Sequence, residues 1–250
     1  MANLERKKYK RLGINFLILI VFFAQMLIVA GVSHSKTFAN GLYPLAYILD
    51  TYLFISLLIN PILISSLVKK VIEIEEKNKM WQLQVSLGEK VSSILINKFK
   101  NLSLKLVLLQ IVEAIVFLLL AKRSVHFNMN TDMILRFAVV NLSAIIINLF
   151  FIALFMIIEM KVKRVYTLSF IGIIGGLTGV ITMLTSKILA YVNPFAWMAS
   201  LLNISYVSEG GKFIQVLNPI NFYTPIIALV FLILAVNYLK AMKSYNLYKD

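Results

Sequence analysis

Cysteine is absent from this 250-residue sequence, and histidine occurs only at His34 and His126. Without cysteine the chain has no disulfide, no thiol nucleophile and no thiolate metal site. The two histidines form no H-E-x-x-H arrangement, so a zinc hydrolase would lack its ligands. A G-x-x-x-x-G-K-[ST] phosphate loop is also missing, so ATP cannot bind here in the P-loop manner. We expect neither an enzyme nor a metal or cofactor site on this chain.

Apolar residues, in contrast, are abundant. Hydrophobic residues make up 60% of the chain and charged residues 14%, and the mean hydropathy is +0.86. Soluble domains are about 45 to 50% apolar even when Gly is counted, so the composition indicates an integral membrane protein. The formal net charge of +14 does not indicate a nucleic-acid partner, because the basic residues lie between apolar runs and no aromatic-basic surface accompanies them.

Six apolar runs are long enough to cross a bilayer core of about 30 Å, which needs about 20 helical residues. They cover approximately residues 14–32, 45–68, 102–121, 133–158, 165–186 and 222–239. We therefore predict an all-α integral membrane protein, with one transmembrane domain over residues 1–250 and six transmembrane helices. The basic lead of residues 1–11 is expected to lie as an N-terminal interfacial helix along the headgroups, or to act only as an orientation anchor.

Lys and Arg are divided unequally between the two sides of this predicted membrane. Residues 1–13, 69–105, 161–164 and 240–250 lie on one side and hold 19 of the 25, while the other side holds six. Cytoplasmic loops carry the excess of these residues. We therefore predict that both termini and the central polar segment are cytoplasmic.

That central segment, VKKVIEIEEKNKMWQLQVSLGEKVSSILINKFKNLSLK, runs from Val68 to Lys105 between the second and third spans. Its apolar residues recur at spacings of three and four, which predicts one stripe along a helix: Met80, Leu83, Leu87, Val91 and Ile94. Gly88 should break this helix. Such a stripe either rests on lipid headgroups or packs against a partner.

The order of NPILISSLVKK, EIEEKNKMWQLQVSLGEK and NKFKNLSLK resembles permeases of type-2 ABC exporters, and among them most closely lantibiotic (bacteriocin) immunity permeases. The specific motif covers residues 60–98, and the rest of the chain is similar in topology only. Many relatives carry Pro after the short helix, where this sequence has Gly88. The resemblance implies a cytoplasmic coupling helix within residues 69–101 that contacts the ATPase through Glu75, Glu76, Trp81, Leu83 and Leu87.

The resemblance also implies the partners and the place of the protein. These are separate ABC ATPase subunits that bind ATP and Mg, a second permease subunit, identical or related, and membrane lipid in a bacterial plasma membrane. The implied substrate is an antimicrobial peptide, expelled from the membrane to give immunity. Two alternatives stay open: ABC export of another membrane-active peptide or of a lipid, and an ion-coupled secondary transporter, which would need paired acidic sites or internal repeats.

Polar residues inside the spans are the candidates for a substrate pathway. Glu113 lies near the middle of the third span, and Asn141 and Asn148 lie in the fourth. Such residues face water or other helices, so either a pathway role or interhelical hydrogen bonds would explain them. Asp50 and Glu159 lie nearer to span ends, where we expect them to be solvated.

The stretch between the fifth and sixth spans, NPFAWMASLLNISYVSEGGKF, interrupts hydrophobic sequence with aromatic and small residues. Pro194 can begin a short helix, and Trp197 suits the outer membrane interface. The resemblance implies re-entrant outer helices here, and an interfacial loop is the alternative. Four glycines in the fifth span form two overlapping G-x-x-x-G pairs and predict close helix packing: Gly172, Gly175, Gly176 and Gly179.

Overall fold

A computed structural model of the protein describes residues 13–35, 42–77, 80–123, 130–162, 166–209 and 212–242. Over these residues the chain is mostly helical, and six helices are long and apolar enough to cross a membrane. The prediction of a multi-pass membrane protein with six spanning helices is confirmed. The expected N-terminal interfacial helix and both chain termini lie outside the described residues.

The six long helices alternate with shorter elements along the chain. The long ones are α1 (Ile14–Ser33), α2 (Pro44–Lys77), α4 (Val91–Arg123), α5 (Thr131–Lys161), α6 (Thr167–Thr185) and α8 (Tyr223–Ala241). The short ones are α3 (Met80–Ser86), α7 (Lys187–Val192), two 3-10 turns (Pro194–Ala196 and Ala199–Leu201) and two strands, β1 (Ile204–Glu209) and β2 (Lys212–Leu217).

The two helices that flank the central polar segment are longer than predicted. Helix α2 continues nine residues beyond the predicted end of the second span, and α4 begins eleven residues before the predicted start of the third. An apolar run marks the part of a helix that lies in lipid, whereas the helix itself continues as long as its backbone is paired. The expected coupling segment of residues 69–101 is therefore the ends of two spanning helices with α3 between them.

Helix α2 forms the centre of the bundle. In its most apolar stretch 67% of the residues are buried, against 22% in α1 and in α8. It packs against α6, α5 and α1, which explains why it loses so much exposed surface. The outer helices keep apolar side chains exposed, as expected of surfaces that face lipid or another subunit.

The glycines of α6 let this helix approach α2 closely. A Cβ atom at Gly176 would lie 2.8 Å from the backbone oxygen of Leu58, and one at Gly172 would lie 2.9 Å from that of Pro61. Gly175 and Gly179 face Phe195 instead. The interpretation of the glycine pairs as packing positions is confirmed, because both faces of the pattern contact other parts of the chain.

The strands form an antiparallel hairpin, which the prediction of an all-α chain did not include. Ile204 lies opposite Leu217, and Glu209 opposite Lys212. The sequence does carry the signal for it, since Gly210 and Gly211 separate two runs rich in β-branched and aromatic residues. We call this end of the bundle the hairpin end and the opposite one, where α3 joins α2 to α4, the α3 end.

Candidate functional site

The short helix α3 connects two spanning helices in the chain, packs against α2 and ends before a glycine. Gly88 has a φ of 87°, which other residues rarely adopt, and the helix stops before it as predicted. The amide of Gly88 donates to the carbonyl of Val85 at 3.0 Å, and that of Glu89 donates to Gln84 at 3.0 Å. This pair of bonds is a Schellman ending, which fixes the direction in which the chain leaves α3.

A buried ion pair joins the two long helices beside α3. The ammonium of Lys98 on α4 lies 2.9 Å from a carboxylate oxygen of Glu75 on α2, and both side chains are at most 2% exposed. Lys98 also donates to the carbonyl of Val71 at 3.3 Å, and Gln84 of α3 donates to the second oxygen of Glu75 at 3.4 Å. The carboxylate of Glu75 is thus the point at which α2, α3 and α4 meet.

The structure contradicts the predicted exposure of two residues that were expected to contact an ATPase. Trp81 is only 3% exposed and belongs to the apolar core, and Glu75 faces Lys98 inside the chain. The expectation that they present themselves to a partner is wrong, because each is already covered by this chain. Glu75 and Glu76 also belong to α2 rather than to the short helix.

The other residues of the predicted contact are accessible. Leu83 is 51% exposed and Leu87 76%, and Glu76 is exposed at the end of α2. The predicted stripe is divided at Gly88, because Val91 and Ile94 beyond it are buried. Leu83 on α3 and Leu87 directly after it therefore form an exposed apolar surface, while Trp81 of the same helix is buried in the core. The contact of this surface with a partner stays a prediction.

Glu113 belongs to a buried hydrogen-bond cluster that joins three helices. The hydroxyl of Tyr52 on α2 donates to the Glu113 carboxylate at 2.8 Å, and Gln110 donates to that hydroxyl at 2.6 Å. Gln110 also donates to Asn141 on α5 at 3.2 Å. The space beside Glu113 admits no water-sized molecule. These contacts agree with the alternative in which the polar residues make hydrogen bonds between helices. A pathway role for Glu113 and Asn141 stays a prediction.

Asn148 lies in a second, separate cluster. Gln25 on α1 donates to Asn60 on α2 at 3.0 Å, and Asn60 donates to Asn148 on α5 at 3.2 Å. The three predicted pathway residues therefore do not line one surface. Asn60, which precedes the proline inside α2, has a role that the sequence did not indicate, since it bridges two neighbouring helices.

A third cluster, at the hairpin end, was missed by the sequence. Asp50 on α2 accepts hydrogen bonds from the backbone amides of Asn203 and Ile204, at 2.7 and 2.8 Å, and from the side chain of Asn203 at 2.9 Å. Arg136 on α5 donates to the carbonyl of Asn218 at 2.8 Å and to Asp132 at 2.7 Å. The expected solvation of Asp50 is wrong, because its carboxylate is occupied by the base of the hairpin. Glu159, expected to be solvated as well, is also buried.

The stretch before the hairpin folds back on the bundle. Pro194 begins a 3-10 turn, in agreement with the prediction that it starts a short helix, and Asn193 caps this turn by accepting from the amide of Phe195 at 3.1 Å. Trp197 is buried against Phe150 and Phe231, so its ring faces the chain's own core rather than the surface, and its position at the depth of the membrane interface stays a prediction. Whether the short helices re-enter the membrane stays a prediction.

A pocket of about 230 Å³ opens beside these turns. Apolar and polar residues of α6, α7, the second turn, β1 and the approach to α8 line it, among them Met183, Tyr191, Ser200 and Asn221. Asn221 donates to the carbonyl of Ser200 at 2.8 Å and to the hydroxyl of Thr224 at 2.9 Å. The side chain of Asn221 is therefore engaged in holding the second turn to the start of α8.

No metal site can be assembled from the part of the chain that the structure describes, where no three His, Asp or Glu side chains are grouped for an ion. The polar sites described above instead consist of hydrogen bonds and the two ion pairs Glu75–Lys98 and Asp132–Arg136, and they fasten helices to one another or to the base of the hairpin. No family model, curated protein or solved structure matches this chain.

Proposed function

We propose that this chain is the membrane permease subunit of an ATP-driven ABC exporter, and that separate ABC ATPase subunits bind ATP and Mg. The observation that carries the proposal is α3, a short helix with exposed Leu83 and, directly after its last residue, exposed Leu87, which packs against α2 and is hydrogen-bonded to Glu75. A chain without a phosphate loop must receive the work of ATP binding through a contact surface, and α3 has the apolar side chains and the anchorage for one.

The anchorage supports transmission of force from α3 into the bundle. A displacement of α3 acts on Glu75, which is bonded to both Gln84 and Lys98, and on Trp81 in the core. Because close-packed interiors transmit strain, α2 and α4 would move with α3 rather than independently of it. Helix α2 in turn contacts α5, α6 and α1, so a tilt of α2 changes the whole bundle.

In this proposal the α3 end faces the cytoplasm of a bacterium and the hairpin end faces outward. The excess of Lys and Arg on the side of residues 69–105 supports this orientation. Two lysines at the α3 end lie over tyrosine rings, Lys69 at 5.1 Å from the ring centre of Tyr166 and Lys161 at 4.9 Å from that of Tyr238. Such lysine and tyrosine pairs suit a membrane interface.

The substrate in this proposal is an amphipathic antimicrobial peptide, expelled from the membrane to give immunity, and the resemblance of residues 60–98 is its support. The buried clusters argue for a pathway at the surface of this subunit rather than through it, since the space beside Glu113 admits no water-sized molecule. A second permease subunit, identical or related, would supply the other wall. The sparsely buried helices α1 and α8 offer apolar surface for that contact.

An ion-coupled transporter is the second candidate, and the buried carboxyl group of Glu113 favours it. Carboxyl groups inside membrane helices commonly mark ion or proton routes. Its hydrogen bond from Tyr52, however, gives Glu113 a structural partner. The two candidates differ in whether transport needs an ATPase.

Copurification with the ABC ATPase tests the proposal. Leu83→Ser removes an exposed apolar side chain from α3, and Leu87→Ser removes one directly after it. We expect each to weaken ATPase binding roughly tenfold, equivalent to about 1.4 kcal/mol. Leu108→Ser is the matched control, because Leu108 is 54% exposed on α4, close to the 51% of Leu83. The measurement is the amount of ATPase retained on the tagged permease in detergent.

A crosslink locates the contact directly. The chain has no cysteine, so Leu87→Cys gives a single reactive thiol. We expect a thiol-specific crosslinker to join this position to the ATPase. If α3 only rests on lipid headgroups, no crosslink forms and both leucine variants retain as much ATPase as Leu108→Ser, which would reject the coupling role and leave the ion-coupled transporter.

A further inference from the structure

The β1–β2 hairpin carries exposed apolar side chains on both faces. Tyr206 and Phe213 lie on one face and are 56% and 78% exposed. Val207, Ile214 and Val216 lie on the other face and are also exposed. A two-stranded hairpin is marginally stable in water at best, and apolar residues on both faces make a fully hydrated position more costly. The hairpin therefore needs a partner that covers both faces.

The charges of the hairpin are confined to the strand ends next to its turn. No charged residue occurs in 205–208 or 213–216, whereas Glu209 and Lys212 flank the two glycines of the turn. These two charges cancel, so the hairpin has no net charge with which to select an acidic or basic partner. Its partner must be recognised by apolar contact.

The base of the hairpin is fixed at a definite depth in the bundle. Asp50, which binds the amides of Asn203 and Ile204, lies six residues after the start of α2. Arg136, which binds the carbonyl of Asn218, lies five residues after the start of α5. At 1.5 Å per helical residue, the backbone at these two residues lies about 7.5 to 9 Å below the ends of the helices, and their side chains hold the base of the hairpin near that level. The strands thus begin within the outer turns of the spanning helices.

The exposed apolar surface of the spanning helices continues toward the hairpin. Ile181 and Leu184 of α6 are exposed, and Ile188 and Val192 extend the same kind of surface along α7. On the other side of the hairpin, the start of α8 presents exposed Phe222 and Tyr223. The elements that precede and follow the hairpin in the chain therefore have exposed apolar side chains, which is the kind of surface that lipid covers.

We propose that the β1–β2 hairpin docks into the membrane–water interface at the hairpin end, with its apolar side chains among the lipid headgroups and the first acyl carbons. Tyrosine and phenylalanine side chains suit this zone. The outer edges of a two-stranded hairpin carry unpaired backbone groups, which the hydrocarbon core does not tolerate, so the hairpin lies at shallow depth. The neutral turn implies that zwitterionic lipid is sufficient.

Environment-sensitive labels on single cysteines test this proposal in the intact protein. Phe213→Cys and Val207→Cys place an NBD fluorophore on opposite faces, and the cysteine-free chain needs no other change. The labelled protein is reconstituted in phosphatidylcholine nanodiscs. We expect blue-shifted emission at both positions relative to NBD-cysteine in buffer. A lipid quencher carried near the headgroup should reduce the emission more than one carried at the end of the acyl chain.

Leu177→Cys is the matched control, because Leu177 lies in the middle of α6 and is 51% exposed. Its label should be quenched more by the deep quencher than by the shallow one. Emission at Phe213→Cys and Val207→Cys that matches buffer and is quenched by aqueous iodide would overturn the proposal. A label that neither lipid quencher nor iodide reaches would overturn it too, since that result indicates a protein partner such as a second copy of the chain.

Discussion

Replacement of Lys98 by Met should be among the most destabilising single changes at the α3 end. The ammonium of Lys98 is buried 2.9 Å from the Glu75 carboxylate, so Lys98→Met removes a buried charge that pairs with this acid. Removal of one member of a buried ion pair costs about 3 to 5 kcal/mol, whereas replacement of both by apolar residues is often neutral or stabilising. We therefore expect Lys98→Met and Glu75→Met each to lose stability, and the double variant to recover most of the loss.

The assay is a double-mutant cycle on the free energy of unfolding. The purified protein is unfolded in mixed micelles with a rising fraction of sodium dodecyl sulfate, and the fluorescence of its two tryptophans reports the transition. The coupling between the two substitutions should exceed about 3 kcal/mol, the upper range for contacting residues. Lys100→Met is the control, since Lys100 lies two residues further along α4 and is exposed. Additive losses in the double variant, or a loss for Lys100→Met equal to that for Lys98→Met, would refute the ion pair as the anchor of α3.

Two further variants test the interior of the bundle. Gly176→Ala places a Cβ atom 2.8 Å from the backbone oxygen of Leu58, so α6 must move away from α2 at a cost of about 1 to 3 kcal/mol. The control is Gly31→Ala, whose Cβ atom meets nothing within 4 Å and should cost nothing. Equal unfolding free energies for the two variants would contradict the close packing of α6 on α2. Tyr52→Phe removes the hydroxyl that is hydrogen-bonded to Glu113 and Gln110. We expect the free energy of unfolding in the same assay to fall by about 1 to 3 kcal/mol. An unchanged unfolding curve would contradict this role of the hydroxyl.

The sequence predicted those features whose cause is local. A run of about 20 apolar residues specifies a spanning helix by its own length, and the six runs correspond to six helices of the structure. Gly88 stops α3 because its own backbone adopts a positive φ, and Pro194 starts a turn because its φ is fixed. Each of these features can be recognised without knowing what lies nearby in space.

The polar clusters could not be predicted in this way because their partners are distant in the sequence. Glu75 and Lys98 are 23 residues apart, and Asp50 and Asn203 are 153 apart. Trp81 shows the same limit, since an aromatic residue on a short polar helix is equally compatible with a partner surface and with the chain's own core. Only the path of α3 across α2 decides that Trp81 faces inward.

The charged residues at the two ends of the bundle connect different parts of the chain. At the α3 end, Glu75 and Lys98 join secondary elements that are already continuous with the spanning helices, so the pair stiffens a connection that the chain itself makes. At the hairpin end, Asp50 and Arg136 bind backbone groups on either side of the hairpin, at Asn203 and Asn218. A movement of α2 relative to α5 must therefore either move the base of the hairpin or break these bonds. Because α2 also carries Glu75, the same helix links the surface proposed for the ATPase to the hairpin proposed to lie in lipid.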